Sequence, residues 1–87
     1  EQLTSSQEAE LPQFTVFPNP TTGLLYLDGL EHLQGQYEAR LRSATGQVIR
    51  TAAGAESISL ERLPSGIYLL EIISGQQVLA RSKVIRE

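Results

Sequence analysis

One histidine, ten carboxylates and scattered hydroxyls are what this 87-residue chain offers to chemistry, and it contains no cysteine. Without Cys there is no thiol nucleophile, no thiolate-held zinc, no iron–sulfur ligation and no disulfide. His32 stands alone in the Gly29–Gly35 loop, with no second ligand at metal-binding spacing. No serine lies in a nucleophile elbow or a triad-like setting, and no carboxylate pair is set apart for acid–base work. These patterns predict a chain that is not an enzyme, with no catalytic residue, metal, cofactor or small-molecule substrate. A net charge of −3 with both signs interspersed argues against a nucleic-acid partner. No apolar run approaches the roughly 20 residues of a helical membrane span.

The elements that must carry function are therefore strands and turns. The organising stretch is Leu63-Pro64-Ser65-Gly66 running into Ile67–Ile73. Pro64 presets φ and Gly66 allows a positive one, so Leu63–Gly66 reads as a turn. Between Ile67 and Ile73 only Glu71 is charged, which predicts a central strand covered on both faces. Around it the chain reads as shorter strands: Phe14–Phe17, Leu24–Asp28, Tyr37–Ser43, Gln47–Thr51, Glu56–Leu60 and, last, Gln77–Ile85. Tyr37, Ala39 and Leu41 alternate inward against Glu38, Arg40 and Arg42, the pattern of a half-buried antiparallel strand. Ile58 and Leu60 also point inward. Pro18 and Pro20 remove two ladder donors and stop the first strand. Ala44-Thr45-Gly46 is a tight hairpin. No helix is expected. Seven strands with turns every 8–12 residues or so predict an all-β, immunoglobulin-like antiparallel sandwich over residues 14–87. Residues 1–13, polar and aperiodic, read as a linker or disordered arm.

Four motifs stand in fixed order: Phe17-Pro18-Asn19-Pro20 with Gly23; Ala44-Thr45-Gly46-Gln47-Val48; Leu63-Pro64-Ser65-Gly66-Ile67-Tyr68; and Lys83-Val84-Ile85. Together they resemble the type A C-terminal sorting domain of the type IX secretion system, found on exported proteins of Bacteroidota. Phe17 replaces the family's usual Tyr, Ala44 its Asp or Asn, and Gln47 its Lys, while Gly46 is kept. The resemblance implies an address read by the translocon, with its outer-membrane shuttle and sortase components, and a cargo fused N-terminally. It implies passage through the periplasm to the cell surface or medium, with a surface sortase cutting in or before the linker and anchoring the cargo. The opening Glu1-Gln2-Leu3-Thr4 carries no signal peptide, so a longer precursor is expected. The competing reading is an accessory module, fibronectin-like or carbohydrate-binding; inward placement of most of the five aromatics argues against sugar binding.

The motif residues are first of all builders of shape: Gly46 and Gly66 as backbone devices, Tyr68 as a core ring with a satisfied hydroxyl. If strands three, six and seven share a sheet with the sixth central, Ile67, Leu69 and Ile73 face outward. Arg40 and Arg42 then flank them on one side, with Arg81, Lys83 and Ile85 on the other. Such an apolar stripe with basic margins is a candidate docking face. The last strand also has a free edge, which its charges Arg81, Lys83 and Arg86 either protect or offer for strand addition.

Overall fold

A computed structural model describes residues 14–87; the linker expected over residues 1–13 lies outside them. Seven strands form: β1 (Thr15–Phe17), β2 (Leu24–Asp28), β3 (Glu38–Ser43), β4 (Val48–Ala53), β5 (Ser57–Ser59), β6 (Gly66–Ser74) and β7 (Gln77–Arg86). They make two antiparallel sheets, ordered β1-β2-β5 and β4-β3-β6-β7. The predicted sandwich is the fold observed, and β6 lies between β3 and β7 as expected. One turn of 3-10 helix, Glu31–Leu33, occupies the loop where no helix was foreseen.

The core is built from alternate residues of both sheets. Leu25, Leu27, Ile58 and Leu60 come from the smaller one and its margins, facing Ala39, Leu41, Tyr68, Leu70, Ile72, Ala80 and Val84. Each Leu shielded completely stabilises the fold by about 1.5–3 kcal/mol relative to an exposed one. Tyr37 caps the core, its hydroxyl donating to the Ala55 carbonyl at 2.5 Å. Nearby, Gly54 approaches the backbone of Gly35 so closely that a Cβ would sit 3.0 Å from the Gly35 oxygen, at a φ of 62°. A side chain is excluded there on both counts.

Two local expectations are corrected. The hydrogen-bonded turn before β6 lies earlier than Leu63–Gly66: Leu63 N–H donates to Leu60 O at 3.1 Å, and Arg62 takes a φ of 70° there, while Gly66 has the expected positive φ, 153°, but as the first residue of β6. The Tyr68 hydroxyl, 2.5 Å from the Pro64 carbonyl, fixes the approach to β6, an arrangement resembling the tyrosine corner of immunoglobulin sandwiches. Nor is β6 covered on both faces: Ile67 is 53% exposed. Its long apolar run reflects a buried inner face plus a partly used outer one.

Candidate recognition site

The strand directions bring all four motifs to one end of the sandwich. Ser43 at the end of β3 lies opposite Tyr68 near the start of β6, and Gly66 and Ile67 lie opposite Arg86 and Ile85 at the end of β7. The Pro18–Gly23 segment crosses the same end. Phe14 enters β1 from the other direction, where Thr15 pairs with Asp28. Both peptide bonds preceding Pro18 and Pro20 are cis.

Asn19 joins the first motif to the last. Its Nδ2 donates to Lys83 O at 2.9 Å and its Oδ1 accepts from Ile85 N–H at 3.0 Å. Thr21 continues the pairing in parallel fashion, its N–H donating to Ile85 O at 2.8 Å and its O accepting from Glu87 N–H at 2.9 Å. Thr21 is fully buried. Its hydroxyl donates to Leu24 O at 2.8 Å and accepts from Gly23 N–H at 3.1 Å. Thr21 went unremarked in the sequence, although a Thr two residues before a Gly is a signal for such a hydroxyl-closed turn. Gly23 in turn accepts from Leu60 N–H at 2.7 Å, and Arg86 Nε donates to Leu60 O at 3.1 Å.

The hairpin is tied in by an ion cluster. Gly46, at a φ of 97°, closes a three-residue loop between Ser43 and Gln47, whose backbones bond at 2.8 Å. Arg42 donates through Nη1 to Gly46 O at 2.8 Å and through Nε to Glu71 Oε1, also at 2.8 Å. Arg81 reaches Glu71 Oε2 at 3.2 Å. Burial alone would push the Glu71 carboxyl up; the hydrogen bonds and charges of Arg42 and Arg81 outweigh it and hold the group below the usual carboxylate range.

This cluster reshapes the expected docking face. Arg42 and Arg81 are not free margins but fold over Glu71, and Arg40 pairs with Glu38 at 3.6 Å. Ile73 is only 6% exposed, at the far end of β6. What remains open is a smaller apolar patch: Ile67 beside Ile85, with Val48 exposed and Leu69 half-buried. Lys83 is exposed opposite Leu69, whereas Val84 faces the core. Phe17 stands apart on the outer face of the smaller sheet, stacked on Tyr26 with ring centroids 5.6 Å apart. Both rings are about half exposed, so the aromatics are less inward than the sequence suggested.

Residues 15–87 match the family model described as the secretion system C-terminal sorting domain. The chain belongs to that family. No curated protein gave a significant match. A type IX sorting domain is a signal that sends an exported protein toward the cell surface through contacts with the secretion machinery and in fusion with a cargo. The four motifs of this sorting domain, dispersed from Phe17 to Ile85, thus form one end of a single folded body.

Proposed function

We propose that the secretion machinery reads the motif-bearing end of the domain, and that the domain, residues 14–87, carries its cargo across the periplasm and through the outer-membrane translocon. The observation that carries this reading is the Asn19 clasp, which makes one surface from motifs 64 and 66 residues apart. The chain from the cargo arrives at Phe14, on the far side of β1, so the motif end points away from the cargo. Docking is assigned to Ile67, Leu69 and Ile85 with the Lys83 ammonium beside them, an apolar patch with a positive rim. Arg40, Arg42 and Arg81 support it by holding the sheet's outer surface, and Ile73 packs at the remote end. After translocation a shuttle hands the domain to a surface sortase, which cuts upstream of Phe14 and anchors the cargo.

The test is an export assay. Residues 1–87 are fused behind a signal peptide and a fluorescent reporter in a bacterium with the type IX system. Delivery to the surface or medium is expected for the full fusion, and retention for a copy lacking residues 77–87 or a strain lacking the translocon. Leu69→Lys should fold and yet lose export; normal export of that folded variant would remove the docking assignment while leaving the sorting role intact. A second reading, binding of a sugar ring to the Phe17–Tyr26 stack, is favoured only by the exposure of that pair. Titration of oligosaccharides against a Tyr26→Ser control decides it.

A further inference from the structure

We propose that the Pro18–Thr21 segment, through the Asn19 side chain, seals the outer edge of β7 against an added strand from another polypeptide, in the first place a second copy of this chain. An edge strand presents a row of unpaired N–H and C=O groups, a template for pairing with foreign backbone. On β7 the groups that point away from β6 are identified by what they bond. Lys83 C=O, the N–H and C=O of Ile85, and Glu87 N–H are all occupied by Asn19 and Thr21.

The residue type suits the task. A carboxamide offers one acceptor and two donors in nearly the geometry of a peptide unit, so it satisfies a neighbouring strand without being one. The prolines on both sides bring no N–H of their own. A chain pairing with the outside of this segment therefore meets no donor at positions 18 and 20, and the sheet cannot grow past it. The need for a seal is local. Ile85 and Ile67 are exposed side by side where the edge would otherwise lie open, and apolar side chains beside unpaired backbone favour strand addition. The exposed charge of Lys83 guards the preceding stretch, and the seal takes over where the sequence turns apolar.

Three purified chains test this: wild type, Asn19→Ala, and Asn19→Ala with Ile85→Pro. The proline removes the N–H that points outward and leaves the ladder to β6 intact, so it blunts the edge by a second route. Asn19→Ala is expected to keep the wild-type circular dichroism spectrum and to show about tenfold faster exchange of the Ile85 amide, the loss of one hydrogen bond of ordinary net strength. It is also expected to associate with rising concentration in analytical ultracentrifugation, where wild type stays monomeric and the double variant returns to monomer. A folded, monomeric Asn19→Ala with a fast Ile85 amide overturns the proposal, and so does self-association that Ile85→Pro leaves unchanged. If Asn19→Ala fails to fold, Asn19→Leu takes its place in both comparisons, since it keeps the volume of the side chain but neither accepts from Ile85 N–H nor donates to Lys83 C=O. The outcome is independent of the export assay.

Discussion

Replacing Glu71 with Gln keeps the shape of the side chain and removes the charge that Arg42 and Arg81 share. Hydrogen bonds to ionised groups contribute about 1.5–3 kcal/mol each, so two of them set a ceiling near 3–6 kcal/mol. Most of that ceiling is not realised. Gln retains one acceptor oxygen, the Arg81 side chain is 52% exposed, and that of Arg42 is 28% exposed, so both guanidinium groups recover water when released. A loss of about 2 kcal/mol remains, equivalent to about 8–16 °C in Tm for a domain of this size. The sign of the pH dependence follows from the lowered carboxyl. Because Glu71 gives up its proton more readily folded than unfolded, its contribution is complete above the ordinary carboxylate range and fades as pH falls through the depressed folded value. Urea denaturation of wild type and Glu71→Gln at pH 7 and at pH 3 should therefore show a gap that narrows in acid. A gap of equal size at both values would refute the charge argument and point to packing, and a gap under about 0.5 kcal/mol at pH 7 would mean that the ion pairs contribute nothing measurable.

Thr21→Val preserves volume but deprives Leu24 O and Gly23 N–H of their partner in a buried site. Denaturant unfolding should show a loss of about 1–3 kcal/mol, and a neutral result would place water there instead. Gly46→Ala forces a side chain into the left-handed region at a φ of 97°. It should cost about 1 kcal/mol or more and loosen the grip of Arg42 on the hairpin, read as faster exchange of the Gln47 amide.

Much of the fold was legible because its signals are local. The alternation in Tyr37–Leu41 placed those side chains inward without reference to any other strand, and the apolar run after Pro64 marked the strand at the centre of the larger sheet. The turn before β6 was misplaced because Arg62 adopts a positive φ that its residue type does not announce. The outer surface of the larger sheet was harder still. Glu71 looked like a lone charge in an apolar run because its partners, Arg42 and Arg81, lie 29 and 10 residues away. Only the register of β3, β6 and β7 brings them together, and register is a property of paired strands. Asn19 is the extreme case: its residue type signals a turn, whereas its partners are fixed by where the last strand ends up. Ile73 and Ile67 share one face of β6, yet one is covered and the other open.

The clasp between Asn19 and β7 has a consequence for when the motif-bearing end comes into being. Its first half is made early in the domain's synthesis, but nothing can close upon it until the chain through Glu87 has been made. A ribosome that stops anywhere in the cargo, or even short of Lys83, leaves a product in which the dispersed motifs never meet. If the machinery reads the clasped end, as proposed above, export requires translation through to the residues that close the clasp.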